Sequence, residues 1–328
     1  MICDVRLIKM AEKSEIINAV PGATSEQKSQ MAFGLTDLAL LAMTLIWGMN
    51  FIIVKTTLLQ ISPVAFAALR FVLAAFLLFA IVRLRQGGFQ IPHAAWRRVA
   101  LAGVIGTTLY QLLFINGLAL TEASNSALIV ACTPAFIVLL NRVLGRERFP
   151  QRGWLGIGLS FFGITLVIIS GGNFALDAQT LLGDGLVLCA TFCWALYSVL
   201  SVPLLKRYSP LSFTALSTIF GAIPLFIIGL PALVNQDWAS VSLGSWAGLA
   251  YSAIFAIVIA YIIWNAGVKR LGGARTAIYN NLTPVIATLG AALFLNEPLT
   301  PTKILGAGII FIGLYLARTS KIIVEPEG

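Results

Sequence analysis

The chain is 328 residues long, and 59% of its residues are hydrophobic while 11% are charged. Soluble domains carry roughly 25% charged residues, so the composition excludes a soluble enzyme and indicates a protein embedded in a lipid bilayer. The formal net charge is +9, which raises the question of whether the basic residues form a nucleic-acid surface or follow a membrane topology.

Ten apolar stretches follow one another along the chain. A membrane-spanning helix needs about 20 mostly apolar residues, whereas the strands of a membrane barrel alternate over about ten residues. The stretches are too long and too evenly apolar for such strands, so we predict an all-α integral membrane protein with ten transmembrane helices. The predicted helices cover approximately residues 36–55, 63–83, 99–119, 123–141, 153–171, 184–204, 212–233, 243–267, 274–295 and 303–318.

The two ends of the chain lie outside these helices. Residues 1–35 are polar and of mixed charge, and they lack the apolar core of about 7–15 residues that a signal peptide contains. We expect a disordered cytoplasmic tail there, with Met31 as a second candidate for the true start. Residues 319–328 are predicted to form a second cytoplasmic tail.

Lys and Arg residues are concentrated in alternate loops. Positively charged loops remain on the cytoplasmic side during insertion, so the pattern predicts that both termini lie in the cytoplasm. We place the protein in the bacterial inner membrane. The positive net charge is therefore explained by the membrane topology, and no nucleic-acid partner is expected. The residues that set the pattern include Arg6, Lys9, Lys13, Lys28, Arg83, Arg85, Arg97, Arg98, Arg142, Arg146, Arg148, Arg152, Lys206, Arg207, Lys269, Arg270, Arg275, Arg318 and Lys321.

The second half of the predicted bundle repeats the first. Thr133-Pro134 matches Thr283-Pro284 at an offset of 150 (283 − 133), and Trp47 matches Trp194 at an offset of 147 (194 − 47). The copies, residues 36–171 and 184–318, hold five predicted helices each, and because five is odd the second copy inserts upside down. Inverted repeats are typical of transporters whose halves rock about a central site.

Aromatic and amide side chains recur near the middle of the matched helices. Trp usually lies at the membrane interface, but Trp47 and Trp194 fall near mid-span, each with a polar residue one turn further along the same face, Asn50 and Tyr197. These pairs either line a solute cavity or pack between helices. Tyr110 and Gln111 in the third segment and Tyr261 in the eighth are either cavity contacts or hydrogen bonds between helices.

The repeated Thr-Pro pairs predict two kinked helices. Pro134 and Pro284 cannot donate to the carbonyl four residues earlier, so each helix can bend there. Asn280 and Asn281 add unusual polarity beside the second proline, which favours a solute-binding role over simple bending. The candidate substrate-binding residues are Trp47, Asn50, Tyr110, Gln111, Thr133, Trp194, Tyr197, Tyr261, Asn280 and Asn281.

Arg70 is a basic residue well inside a predicted helix, and such a charge is costly in the bilayer. It either draws an anionic or carboxylate-bearing solute, or it caps backbone carbonyls or extends towards the interface. The sequence places Asp184, Glu147 and Glu297 at helix ends and contains a single His. Proton-coupled carriers usually hold a buried titratable relay, so proton coupling is not supported, and we expect no catalytic group, metal or cofactor.

Set out in this order, the motifs resemble those of the EamA family of the drug/metabolite transporter superfamily, over about residues 36–318. The resemblance implies ten helices in two inverted repeats around a central cavity, and export of amino acids and other metabolites or movement of nucleotide sugars and phosphorylated sugars. Arg70 and Glu297 match recurring family positions, which implies that they, with Glu147, serve the scaffold. The resemblance rests on Trp47-Gly48-x-Asn50-Phe51, Ala68-Leu69-Arg70-Phe71, Gly117-Leu118-Ala119-Leu120-Thr121, Thr133-Pro134 and Leu295-Asn296-Glu297-Pro298-Leu299-Thr300 with Gly306.

We therefore predict an inner-membrane permease, acting as an exporter of neutral or zwitterionic organic solutes, because aromatic and amide groups offer stacking and neutral hydrogen bonds. Within transporters, the alternative is a carrier of sugar phosphates or nucleotide-type anions that uses Arg70. Outside them, the alternative is a membrane receptor or enzyme. The protein is expected to be a monomer or a homodimer.

Overall fold

The computed structural model describes residues 34–144, 151–169, 178–271, 276 and 279–319, with the backbone alone for residues 317–319. All regular elements within these ranges are helical. Within these ranges, residues 34–39 belong to one compact unit, in which the Gly34 amide donates to Asp37 Oδ2 at 2.8 Å, and the described residues from Leu40 belong to the other. The helices are α1 (Leu35–Thr57), α2 (Pro63–Gln86), α3 (His93–Leu120), α4 (Ala123–Val143), α5 (Gln151–Ile168), α6 (Ala178–Arg207), α7 (Pro210–Asn235), α8 (Leu243–Leu271), α9 (Leu282–Phe294) and α10 (Pro301–Thr319).

Within the described part of the chain, the eight helices α1 to α8 are long and apolar enough to cross a membrane. The two that follow are apolar but shorter, over Leu282–Phe294 and Pro301–Leu316. Proline at the first helical position begins α2 and α7, where its missing N–H costs no intrahelical bond. The structure is therefore that of an all-α membrane protein.

Three of the long helices are interrupted. α3 contains a π-helical stretch at Val104–Leu109, and α8 contains another at Ser252–Ile259. α4 breaks at residues 131–132 between Ala123–Val130 and Thr133–Val143, with Pro134 in the first turn of the second piece. Pro284 lies in the first turn of α9. Such interruptions change which side chains face a neighbouring helix, and π-helical turns are frequent at functional sites.

Glycines allow helices from the two halves of the chain to pack closely. A Cβ added to Gly163 of α5 would lie 2.7 Å from the carbonyl oxygen of Gly306 in α10. A Cβ on Gly117 of α3 would lie 2.8 Å from the carbonyl oxygen of Gly183 in α6. Small residues permit this approach of backbones inside membranes. The halves thus interdigitate, and the cavity described next is lined by both.

Candidate functional site

A small cavity lies among helices from both halves of the chain. The space open to the centres of water-sized molecules is about 60 Å³, and one water needs about 10–15 Å³ by this measure. By this measure the cavity corresponds in size to about four to six waters. Its lining residues are Trp47, Asn50, Phe51, Arg70, Tyr110, Gln111, Phe114, Val130, Trp194, Ala256, Ile257, Tyr261, Asn280 and Thr283.

Aromatic rings form one wall of the cavity. The Trp194 ring lies 5.2 Å from Tyr110, 5.3 Å from Tyr261 and 6.0 Å from Trp47, measured between centroids. These distances are typical of favourable aromatic pairs. The Trp47 indole N–H donates to the carbonyl oxygen of Ala256 at 2.9 Å, inside the π-helical stretch of α8. The rings therefore have fixed positions and present their faces and edges to the cavity.

Arg70 brings a positive charge to the cavity wall although its side chain is only 2% exposed. One guanidinium nitrogen donates to Ser252 Oγ at 2.7 Å and another to Gln111 Oε1 at 2.5 Å, while Nε has no partner in the described structure. The guanidinium carbon lies 4.6 Å from the centroid of the Phe66 ring. No carboxylate within the described ranges lies at ion-pair distance, so the cation lacks a protein counterion.

Amide and hydroxyl groups complete the polar part of the lining. Thr283 Oγ1 donates to Asn280 Oδ1 at 3.0 Å. Asn50 Oδ1 is buried and has no hydrogen-bond partner among the described residues. Buried polar groups are normally paired, because an unpaired group loses its water without compensation. The Asn50 oxygen and Arg70 Nε are thus buried polar atoms at the cavity wall whose hydrogen bonding the described residues do not complete.

Comparisons with known proteins decide the family. A family model described as the EamA-like transporter family matches residues 34–169 and, separately, residues 181–319. The chain belongs to this family. It is therefore a membrane transporter and not an enzyme.

Curated relatives of this EamA-like transporter cover most of its length. The Bacillus subtilis (strain 168) protein called "Uncharacterized transporter YyaM" is 30% identical over 85% of this chain and 92% of its own. A "Probable amino-acid metabolite efflux pump" of Escherichia coli (strain K12) is 28% identical over 84% and 92%. A crystal structure matches with a TM-score of 0.62 at 18% identity, over 86% of this chain and 96% of its own, and so shares the fold.

Seven of the ten candidate substrate-binding residues of this EamA-like transporter line the cavity. The other three do not: Tyr197 accepts a hydrogen bond from Asn265 Nδ2 at 3.2 Å, Thr133 donates to its own helix, and Asn281 precedes α9 outside the lining. The seven are Trp47, Asn50, Tyr110, Gln111, Trp194, Tyr261 and Asn280.

Several lining residues lay outside the predicted solute-binding set. Phe51 and Phe114 line the cavity and pack edge to face, with their ring centroids 5.6 Å apart. Trp264 is not part of the lining, but its ring centroid lies 5.7 Å from that of Trp47. Thr283 is the repeat mate of Thr133, yet it faces the cavity while Thr133 does not. A Phe in an apolar helix carries no signal of which face it occupies, so sequence reasoning had no basis for choosing Phe51 and Phe114.

A second polar region lies where α3 ends and α4 begins. Lys303 pairs with Glu122 and donates to Ser124 Oγ at 2.9 Å. Glu297 accepts from the amides of Ala123 at 2.7 Å and Ser124 at 2.9 Å, which caps the N-terminus of α4, where negative charge is favoured.

Lys55 in this region donates to the carbonyl oxygens of Leu118 at 2.8 Å and Ala119 at 3.2 Å, at the end of α3, where positive charge is favoured. These bonds join α1 to α3, as those of Glu297 and Lys303 join the last part of the chain to α4. Glu147 lies outside the described residues. We call the set Lys55, Glu122, Ser124, Glu297 and Lys303 the charge cluster.

Asp184 lies beside the charge cluster and corrects a prediction. We expected α6 to begin at residue 184, with the carboxylate at its end, but the helix begins at Ala178. Asp184 therefore lies in the second turn and is 0% exposed. Its Oδ1 accepts from Thr121 Oγ1 at 2.6 Å. Within the described residues, no three His, Cys, Asp or Glu side chains are grouped as metal ligands.

Proposed function

We propose that this EamA-like transporter exports zwitterionic, amino-acid-like solutes across the bacterial inner membrane by alternating access. The observation that carries the proposal is Arg70, a buried cation at the cavity wall without a counterion in the described structure. Burying an unpaired charge is costly. A solute carboxylate at this wall supplies the missing negative charge.

The charge of the cavity limits the class of solute. Arg70 is the only charged side chain among the described lining residues. One positive charge balances one carboxylate, whereas a phosphate monoester carries about −1.5 to −2 at neutral pH. This favours a carboxylate over the sugar-phosphate or nucleotide alternative.

The aromatic wall suits the rest of such a molecule. Trp47, Trp194 and Tyr261 surround the cavity, and an ammonium group over an aromatic face is stabilised by about 0.5–2 kcal/mol. Asn50 and Asn280 offer neutral hydrogen bonds. A carboxylate at Arg70 with an ammonium or apolar group at the rings describes an amino acid or a close derivative, which agrees with the name of the Escherichia coli relative.

The transport cycle that we propose follows from the two family matches. Residues 36–171 and 184–318 form inverted five-helix repeats, with both termini in the cytoplasm, and they rock about the cavity between them. The lining of the cavity by residues of both repeats supports this proposal. The charge cluster then lies at the end of the bundle that faces away from the cytoplasm.

The test is exchange of radiolabelled amino acids by the purified protein in liposomes, with the corresponding amino-acid amides as competitors. Free amino acids should compete and amides should not, because amides lack the carboxylate. Arg70→Gln should reduce exchange about 10- to 100-fold, since a hydrogen bond to a charged group contributes about 1.5–3 kcal/mol. Arg83→Gln, an exposed site on the same helix, is the matched control and should leave exchange unchanged.

Two results would contradict the proposal. Equal competition by amides and free amino acids would remove the carboxylate from recognition. Absence of exchange for every labelled amino acid, with folded wild-type protein, would reject the solute class.

A further inference from the structure

Asp184 is a buried carboxylate that the proposed solute site does not use. It is 0% exposed in the second turn of α6, and only its Oδ1 has a hydrogen-bond partner, the hydroxyl of Thr121. Oδ2 has none among the described residues. An ionised carboxylate buried with one neutral hydrogen bond is strongly disfavoured, and such groups bind a proton instead.

The neighbours of Asp184 do not supply a counterion. Glu122 and Lys303 are the charged groups of the described structure within electrostatic range of it, and they form an ion pair with each other. Their effects on Asp184 therefore largely cancel. The remaining charges of the cluster are also engaged, Glu297 by the α4 amides and Lys55 by the α3 carbonyls.

Asn125 provides the second observation. It is fully buried and within hydrogen-bonding reach of the Asp184 carboxyl, although neither its Oδ1 nor its Nδ2 meets the geometry of a hydrogen bond in the described ranges. A proton on Asp184 Oδ2 is the donor that the Asn125 carbonyl oxygen lacks. Asn125 can therefore serve both states of Asp184: its Oδ1 accepts from a protonated Oδ2, and its Nδ2 donates to an ionised one.

We propose that Asp184 is a proton-binding site that controls the opening of this end of the helix bundle. In the conformation described here, in which the carboxyl is buried, Oδ2 holds a proton taken up from a hydronium ion, which leaves as water. When the end opens, water reaches the carboxyl, the proton returns to that water, and the carboxylate remains ionised and hydrated. This inference rests on the proposed alternating access.

The location of Asp184 explains how its charge affects the cycle. It connects the halves of the chain through Thr121, one turn beyond the close contact of Gly117 with Gly183. The same helix carries Trp194 at the cavity, ten residues further along, or about 15 Å at 1.5 Å per residue. Hydration of an ionised Asp184 separates α3 from α6 at this joint, so acidification favours the closed form.

The first test does not require transport. Infrared spectra of the purified protein are recorded between about pH 5 and pH 8, and a carboxylic-acid band is followed as the pH falls. The wild type should show a band from a carboxyl group shielded from water that is missing in Asp184→Asn and present in Asp237→Asn, the exposed control. Identical spectra for wild type and Asp184→Asn would overturn the proposal. If Asp184→Asn does not fold, Asp184→Glu should shift the same band, and an unshifted band would overturn it.

The second test measures labelled amino-acid exchange at equal pH on both sides of the liposome membrane. Wild-type exchange should fall by up to about tenfold per pH unit on acidification, because one proton links closing to pH. Asp184→Asn should lose this dependence, and Asp237→Asn should keep it. The same pH profile for Asp184→Asn and wild type would overturn the proposal. A wild-type exchange rate that changes with sodium concentration but not with pH would also overturn it. Absence of all exchange would reject the transport proposal, while the infrared result still decides on Asp184.

Discussion

The cavity and the charge cluster are both polar regions inside an apolar helix bundle, but they differ in how their polar atoms are paired. In the cluster, Lys303 pairs with Glu122, and Glu297 and Lys55 bond to helix termini. At the cavity, Arg70 Nε and Asn50 Oδ1 have no partner in the described part of the chain.

The difference separates a structural role from a binding role. A charge satisfied by the protein itself stabilises a fixed arrangement of helices, and removing one partner leaves the other buried and unpaired. A buried polar atom without a partner gives little to the fold, and solute binding is the role that we propose for those beside the cavity. The family resemblance implies a scaffold role for both Arg70 and Glu297. Their surroundings differ, because Glu297 is bonded to the amides at the start of α4 and Arg70 Nε has no partner in the described structure.

The largest effect on stability is expected from Lys303→Met. This change removes the buried ammonium group that pairs with Glu122 and bonds Ser124. Breaking a fully buried ion pair costs about 3–5 kcal/mol, and because the Glu122 side chain is 29% exposed we expect a loss below that range. Thermal unfolding of the purified protein, followed by fluorescence, should show a large decrease in midpoint temperature. Exchange measured well below that temperature should be affected much less than stability.

The control for this change is Lys206→Met, which removes an exposed lysine at the end of α6. Surface charges contribute at most about 1 kcal/mol, so the midpoint should hardly move. The double change Glu122→Gln with Lys303→Met should recover part of the loss, because no charge then remains unpaired. Equal midpoints for Lys303→Met and Lys206→Met would mean that the cluster does not hold the bundle together.

Asn50→Leu should affect exchange more than stability, which is the opposite of the result expected for Lys303→Met. It removes an amide whose Oδ1 is orphaned, so the free energy of unfolding should stay the same or rise by about 1 kcal/mol. Exchange should fall about three- to tenfold, since a neutral hydrogen bond to the solute contributes about 0.5–1.5 kcal/mol. Met49→Leu, at the adjacent position outside the lining, is the control. A destabilised Asn50→Leu protein with normal exchange would assign Asn50 to packing.

The sequence predicted the eight long helices well, because long apolar stretches leave few alternatives to a spanning helix. It located α6 less well. Residues 178–183 are only moderately apolar, yet they are helical and in contact with α3 through Gly183 and Gly117. A helix start that depends on packing against a distant helix is not encoded locally, and the burial of Asp184 was missed for this reason.

The cavity was predictable in composition but not in detail. Polar and aromatic residues near mid-span identified seven lining residues, since such groups are costly unless they face protein or water. The π-helical stretches of α3 and α8 change which side chains of the following helix face the cavity. No residue pattern predicts these stretches. Tyr197 in α6 accepts a hydrogen bond from Asn265 in α8, which also donates to Thr214 in α7 at 2.8 Å. Its position outside the lining therefore depends on contacts between three helices, which the sequence does not show.

The smallest effect is expected from Asn281→Leu, and its comparison with Asn280→Leu tests the position of the cavity. Successive residues of a helix point about 100° apart, and Asn280 lines the cavity while Asn281 does not. Asn280→Leu should therefore reduce exchange about fivefold, near 1 kcal/mol, and Asn281→Leu should stay within about twofold of wild type. Each protein is the control for the other, because both lose one amide at the start of α9. If Asn281→Leu lost as much exchange as Asn280→Leu, the solute would have to contact a face of this segment that the cavity does not include.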